Sequence, residues 1–113
     1  FFTLSGTEPG EGCVIEREEN ATHVRGAPAS VANHWVAVDI PGRYRGVDSL
    51  GRFKLMESLK DGVLDDFSWL RSPILNKTTR LAVVANAKRG LLMVQGWETD
   101  GPATQIFRCC NPA

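Results

Sequence analysis

The sequence predicts an α+β fold, mainly antiparallel sheet with two short helices. Both ends of the chain are rich in apolar and β-branched residues that alternate with glycine-containing turns, as is typical of paired strands. The middle of the chain places apolar residues three positions apart, as is typical of one face of a helix. The chain has 113 residues, 42% of them hydrophobic and 23% charged, so we expect residues 1–113 to form a single unit with one modest core.

Three short β-prone segments predict strands in the first part of the chain: residues 1–5, 13–17 and 22–25. Residues 6–12 contain three glycines and a proline, so they are expected to turn the chain between the first two strands. The polar residues 18–20 form the expected tip of a hairpin. A further apolar run at residues 35–38 is followed by Pro41 and Gly42, which interrupt the β pattern.

A helix is expected to begin at Asp48 or Ser49, because both residue types are favourable N-caps, and to continue through Lys60. Gly62 lies where a left-handed C-terminal cap is expected. The apolar face of this helix would carry three residues that are three positions apart: Phe53, Met56 and Leu59.

A second, shorter helix is predicted by the same spacing of apolar residues, at Leu64, Phe67 and Leu70. Asp65 and Asp66 would lie in its first turn, where the helix dipole favours acidic side chains. Pro73 is expected to end it, because proline cannot continue a helix.

Two continuous apolar runs at residues 81–85 and 91–94 predict a pair of strands, and residues 104–109 predict a last strand. Gly90 can adopt the positive φ that a hairpin loop between the two runs requires. Continuous apolar runs are typical of strands that are covered on both faces. We therefore expect this sheet to be sandwiched between other layers.

The charge balance excludes some classes of partner. Thirteen basic residues balance thirteen acidic ones, so the net charge gives no reason to expect a nucleic acid or an anionic membrane. The apolar runs are far shorter than the roughly 20 residues that a membrane helix needs.

Residues 1–4 have the composition of a strand and lack the basic start of a signal peptide. We therefore expect the chain to begin inside a structural element, as a fragment or a processed product.

Cysteines and glycosylation sequons leave the compartment open. Cys13, Cys109 and Cys110 lack the spacing of a redox or zinc site and allow at most one internal disulfide. Asn20 and Asn76 begin N-x-T sequons, which chance also produces in such a composition. The localisation is therefore unknown, and the open alternatives are lysosomal or secreted for a eukaryotic protein and cytoplasmic or periplasmic for a bacterial one.

Four segments, taken in their order along the chain, carry a family resemblance. They are FFTLSGTEPGEGCVIER (residues 1–17), VANHW (31–35), SLGRFKLMESL (49–59) and SPILNKTTRLAVVANAKRGLLMVQGW (72–97). The first resembles a strand, glycine-rich turn and strand in the C-terminal half of acid ceramidase and N-acylethanolamine acid amidase. The second is similar to the Asn-His-aromatic motif of the related penicillin acyltransferases. The chain thus resembles the C-terminal part of an N-terminal-nucleophile (Ntn) hydrolase.

The resemblance implies a four-layer αββα fold, in which two antiparallel sheets lie between helical layers. It also implies cleavage of linear amide C–N bonds by a cysteine that self-cleavage of a precursor exposes at a new N-terminus. The α-amino group of that cysteine serves as the general base, so no cofactor is implied. Because Phe1 begins this chain, the resemblance places the nucleophile in an upstream segment or a second chain.

Asn33 matches the family asparagine whose side-chain NH₂ donates to the developing oxyanion. A neutral, planar amide with two donors suits that task. The alternative is an asparagine that satisfies backbone groups at the end of a strand. Either role is compatible with the sequence, and the resemblance favours the catalytic one.

Arg52 matches the arginine that opens the next helix of the family and lines or braces the active site. Its guanidinium could steer a substrate carbonyl or carboxylate, or orient Asn33. The alternative is a solvated arginine on a helix face. Arg43 and Arg45 are rival candidates, because the loop that carries them differs from the loop of the family.

Five further residues have structural interpretations. Cys13 would become a nucleophile only if the chain were cut before it, so we expect an inert residue in a strand. His34 could be a general base, but the family mechanism leads us to expect a packed histidine. Neither His34 nor His23 forms a metal-spaced cluster with carboxylates, so we expect no metal site. Glu16 and Arg17 also match the family and are expected to form an ion pair at a strand edge.

The sequence therefore predicts the oxyanion-side, C-terminal portion of a cysteine Ntn hydrolase that cleaves linear amides. The expected partners are an N-acyl amide substrate, lipid-like or an acyl-amino compound, and the segment or chain that carries the nucleophilic cysteine. The alternative is a non-catalytic structural or interaction module that keeps the scaffold without the chemistry. A cysteine at a self-cleavage point upstream would separate the two hypotheses.

Overall fold

Seven antiparallel strands and one helix make up the part of the chain that the structure, a computed structural model, describes: residues 1–63 and 66–110. The first sheet has three strands in the order β1-β2-β3: β1 (Phe2–Leu4), β2 (Cys13–Arg17) and β3 (Thr22–Gly26). The expected strands and hairpin tip of the first part of the chain are confirmed.

The second sheet has four strands: β4 (Leu81–Asn86), β5 (Leu91–Glu98), β6 (Gly101–Pro102) and β7 (Phe107–Cys110). Strand β5 lies at its centre and pairs with β4, β6 and β7. The turn between β4 and β5 forms as the sequence predicts. Gly90 has φ 59°, and the side chain of Asn86 accepts a hydrogen bond of 3.0 Å from the backbone N–H of Arg89.

The single helix, α1 (Ser49–Ser58), begins where the sequence predicts. Asp48 is its N-cap, and its side chain accepts a hydrogen bond of 2.9 Å from the backbone N–H of Gly51. The helix ends at Ser58, before the expected Lys60. No helix in the described ranges is long and apolar enough to cross a membrane.

The predicted second helix is wrong over residues 66–70, which form turns; Leu64 and Asp65 lie outside the described residues. Phe67 has φ 57°, a left-handed conformation that a right-handed helix cannot contain. The carboxylate of Asp66 accepts a hydrogen bond of 3.0 Å from the backbone N–H of Ser68, which closes a local turn instead.

The predicted four-layer αββα architecture is also wrong. Residues 66–70, expected to belong to a second helix, form turns, and no Cα atom of α1 lies within 8 Å of a Cα atom of a described strand. Helix α1 instead packs on the loop at residues 33–47, where the rings of Phe53 and His34 lie 5.3 Å apart. The structure is mainly antiparallel sheet with one short helix.

The expectation that β4 and β5 are covered on both faces is wrong as well. One face packs on turns 66–79 and forms the larger core, built from Phe67, Leu70, Ala82, Leu91 and Met93. The opposite face, which we call the open face, is uncovered: Leu81 is 61% exposed, Val83 47% and Phe107 64%. A continuous apolar run fits a strand covered on one side as well as on both, so the pattern alone did not separate the two arrangements.

The first sheet also has one apolar face toward solvent, where Phe2, Leu4 and Val24 are exposed. Its other face, which carries Val14 and Glu16, packs on residues 30–37. The radius of gyration is 15.2 Å, against about 13 Å for a compact domain of this size. The chain is therefore less compact than a typical domain of its length: its hydrophobic core cluster lies on the second sheet, and Val14 of the first sheet is buried apart from it.

Candidate functional site

A cavity of about 360 Å³ lies beside the first sheet and is formed almost entirely by one irregular segment. This volume is within the range of small-molecule pockets, about 300–1,000 Å³. The lining combines aromatic, aliphatic, charged and amide side chains: Phe1, Asn33, His34, Trp35, Val38, Asp39, Ile40, Arg43, Tyr44 and Arg45, with the backbone of Gly42.

Asn33 and Arg52, the two residues that the sequence selects for catalysis, contact each other. Nη2 of Arg52 donates a hydrogen bond of 2.9 Å to Oδ1 of Asn33. A guanidinium has donors only, so the amide oxygen of Asn33 faces it and the NH₂ group points away. Within residues 1–63 and 66–110, no protein atom accepts a hydrogen bond from that NH₂. Since Asn33 is exposed and lines the cavity, both N–H donors are available to a bound molecule.

The guanidinium of Arg52 is itself held by the loop that precedes α1. Its Nε donates to the carbonyl oxygen of Val47 at 2.6 Å, and its Nη2 donates to the carbonyl oxygen of Arg45 at 3.3 Å. Arg52 lies in the first turn of α1 and does not line the cavity. Its geometry therefore fits the orienting role proposed from the sequence better than direct contact with a substrate.

Gly46 allows this close arrangement. Its φ is +72°, which a residue with a side chain adopts only at a cost. A Cβ at this position would lie 3.0 Å from Nη2 of Arg52 and 3.4 Å from Oδ1 of Asn33. Any larger residue would push directly on the hydrogen bond between the two side chains.

The hydroxyl of Ser49 fixes the backbone that carries Asn33. Its Oγ accepts a hydrogen bond of 2.7 Å from the backbone N–H of Asn33 and lies 2.7 Å from Nδ1 of His34. The His34 ring is buried, stacked on Tyr44 at 4.5 Å and against the edge of Phe53. His34 is thus packed and hydrogen-bonded. Ser49 is buried and does not line the cavity, so the pair positions the site and does not resemble an accessible nucleophile with its base.

Glu16 ties the cavity segment to the first sheet. Its fully buried carboxylate accepts hydrogen bonds from the backbone N–H groups of Val36, at 2.6 Å, and Ala37, at 3.0 Å, and from Nε of Arg25, at 2.7 Å. Burial opposes ionisation of Glu16. The hydrogen bonds from Val36, Ala37 and Arg25 outweigh burial and lower the pKa of this carboxyl below its ordinary value.

The predicted ion pair between Glu16 and Arg17 is wrong. Successive side chains of a strand point to opposite faces, so Glu16 is buried while Arg17 is exposed and donates to Oγ1 of Thr22. The partner of Glu16 is Arg25 on β3, which also donates from Nη2 to the carbonyl oxygen of Ser30 at 2.6 Å. The period-two pattern of the hairpin places two β3 residues on the face of Glu16, His23 directly opposite it and Arg25 diagonally, and only Arg25 carries the charge that pairs with it.

The other candidates from the sequence divide between the cavity and the rest of the molecule. Arg43 and Arg45 both line the cavity. Cys13 is half-buried in β2, Cys109 is exposed on β7, and neither lines it. Asp39 also lines the cavity, although no sequence motif marks it. In residues 1–63 and 66–110, no three His, Cys, Asp or Glu side chains are grouped so that they could hold a metal ion.

Comparison with known proteins adds no relative. No protein-family model, curated protein or solved structure matches the chain. The features of the chain that bear on function are the cavity and the pair formed by Asn33 and Arg52.

Proposed function

We propose that this chain is the oxyanion-side portion of a cysteine N-terminal-nucleophile hydrolase that cleaves linear amide C–N bonds of N-acyl substrates. The observation that carries the proposal is the orientation of Asn33. Its amide oxygen is occupied by Arg52, its NH₂ group has no acceptor among the described residues, and Asn33 lines a cavity of small-molecule size. This is the arrangement that an oxyanion-stabilising amide needs.

The proposed reaction begins when the α-amino group of a cysteine, supplied from outside these 113 residues, takes the proton of its thiol, and the resulting thiolate attacks the carbonyl carbon of the substrate amide. The C=O π electrons move to oxygen, and the NH₂ group of Asn33 donates to the resulting oxyanion. Collapse of the intermediate breaks the C–N bond, and the α-amino group of the cysteine passes a proton to the leaving amine. Water then hydrolyses the thioester and releases the acid. Arg52 acts as a positioning residue, because it holds the amide of Asn33 without touching the substrate.

The proposal is tested by the mature N-terminus of the complete protein. We expect mass spectrometry to find a chain that begins with cysteine upstream of Phe1, and we expect that protein to hydrolyse an N-acyl amide. Replacing that cysteine by alanine should abolish both self-cleavage and hydrolysis. Hydrolysis that survives the replacement, or a mature protein without an N-terminal cysteine, would overturn the proposal.

A second candidate function is a non-catalytic interaction module, and the exposed apolar faces of both sheets favour it. The open face alone presents Leu81, Val83 and Phe107 to solvent. Contiguous apolar surface of this kind is typical of a protein interface.

Sedimentation velocity of the protein over a range of concentrations tests this surface. We expect concentration-dependent association, and we expect Val83→Lys to reduce it because a charge at the middle of β4 would have to be desolvated in the contact. The control is Lys77→Glu, which changes the charge of an exposed residue outside the strands. A protein that remains monomeric at all concentrations, without a bound partner, would count against the interaction module.

A further inference from the structure

The guanidinium groups of Arg43 and Arg45 lie at the cavity and have no role in the proposed reaction. Arg43 and Arg45 are exposed, line the cavity, and form no ion pair or side-chain hydrogen bond with any residue of the described ranges. They differ in this from Arg25, which pairs with Glu16, and from Arg52, which is fixed by Asn33.

The charge at the cavity favours an anion. Asp39 is the one carboxylate among the described lining residues, against the two arginines, so the lining side chains carry an excess of one positive charge. The backbone N–H of Arg45 donates to the carbonyl oxygen of Asn33 at 3.2 Å, which places one of the two arginines next to the residue that would bind the amide. A free arginine beside an amide donor can hold a carboxylate through two parallel N–H···O bonds.

We propose that the site takes N-acyl substrates whose amine portion carries a carboxylate, that is, N-acyl amino acids. This inference rests on the proposed function, because it assumes that the scissile amide lies at Asn33. In an N-acyl amino acid, only the amide nitrogen and one carbon separate the scissile carbonyl from the carboxylate. A substrate whose carbonyl lies at Asn33 therefore has its carboxylate close to Arg45. The rings of Phe1 and Trp35, 5.1 Å apart, provide apolar surface for the acyl group.

A matched pair of ligands tests the inference. N-Hexanoylglycine and N-(2-hydroxyethyl)hexanamide share the acyl chain and the amide, and differ in a carboxylate against a hydroxyl. By calorimetric titration of the protein at low salt, we expect the acid to bind at least about tenfold more tightly than the alcohol. We expect this preference to shrink as salt is added, because the two arginines are exposed to solvent.

Two variants locate the effect. Arg43→Gln and Arg45→Gln should each weaken binding of the acid by about tenfold and leave binding of the alcohol unchanged. The control is Arg71→Gln, an exposed arginine outside the cavity, which makes the same charge change and should alter neither affinity. Equal affinities for the two ligands in the unsubstituted protein, or an acid preference that survives both variants, would overturn the inference.

Hydrolysis of the same two amides by the complete protein separates this inference from the proposed function. Equal hydrolysis of both would uphold the amidase function and overturn the preference for an anionic amine portion. Selective binding of the acid without hydrolysis of either compound would overturn the amidase function and uphold the anion site.

Discussion

Replacing Asn33 by alanine is expected to lower kcat for amide hydrolysis by the complete protein by about 10² to 10³-fold. Loss of one preorganised oxyanion donor has an effect of this order. The KM should change little, because the hydrogen bond strengthens mainly in the transition state. The measurement is steady-state hydrolysis of an N-acyl amide, with thermal unfolding followed on the same preparation.

Asn33→Asp is the sharper variant, because the structure allows it to keep the contact with Arg52. An aspartate oxygen can accept the hydrogen bond that Oδ1 accepts now, so the loop and α1 should stay in place. The NH₂ group, however, is replaced by a second carboxylate oxygen. This oxygen cannot donate a hydrogen bond, and it places a negative charge next to the developing oxyanion. Turnover should fall at least as far as in Asn33→Ala, with no loss of thermal stability.

The control for both variants is Asn20→Ala, which removes an exposed amide from the hairpin tip between β2 and β3 and should leave kcat unchanged. If Asn33 has only a structural role, the variants should have a lower thermal stability and a near-normal kcat per folded molecule. That result in either variant would remove Asn33 from the mechanism.

The largest expected effect on stability comes from Glu16. Glu16→Gln should lower the free energy of unfolding at neutral pH by about 2–3 kcal/mol, since hydrogen bonds to a charged group are worth about 1.5–3 kcal/mol. The glutamine amide has no negative charge to pair with Arg25. Only its oxygen could accept hydrogen bonds from the backbone N–H groups of Val36 and Ala37, which the carboxylate binds now. Urea unfolding followed by tryptophan fluorescence measures the difference.

The effect of Glu16 should depend on pH in a fixed direction. Its pKa in the folded protein is lower than the ordinary 4.5, so the unfolded chain takes up the proton first as the pH falls. The stabilisation is therefore complete above about pH 5 and is lost as the pH falls through the folded pKa. The difference in the free energy of unfolding between the unsubstituted protein and Glu16→Gln should therefore become smaller as the pH falls.

Glu8→Gln is the control, because Glu8 forms only an exposed ion pair with Lys88 and should contribute almost nothing. An equal loss in both variants, or a difference for Glu16 that does not depend on pH, would contradict this account.

Local sequence signals predicted the hairpins well, because their turns depend on a few residues. Gly90 and Asn86 determine the turn between β4 and β5 through one backbone angle and one side-chain hydrogen bond. Asp48 likewise fixes the start of α1. The contact between Asn33 and Arg52 was expected only as one possibility, through the family resemblance, because 19 positions separate the two residues and no local rule joins them.

The layers could not be predicted, because burial depends on what packs against each face. The spacing of Phe67 and Leu70 is shared by a helix and by the turn that the structure contains, and the positive φ of Phe67 decides between them. Whether each face of β4 is buried likewise depends on which other segments pack on it, and the sequence of β4 alone does not specify those segments. The Glu16 network joins β2 to residues that follow some 20 positions later, beyond the reach of a local pattern.

The geometry around Gly46 separates substitutions that the loop can tolerate from those that disturb the site. Substitutions at Arg43 and Arg45 replace side chains that end in solvent, so they can alter which ligands the cavity admits while the fold is retained. A substitution at Gly46 has no such freedom, since any Cβ meets the hydrogen bond between Arg52 and Asn33. A side chain at position 46 would have to adopt a positive φ and displace Nη2 of Arg52, so the orientation of the Asn33 amide depends on Gly46 and not on the side chains of the two arginines.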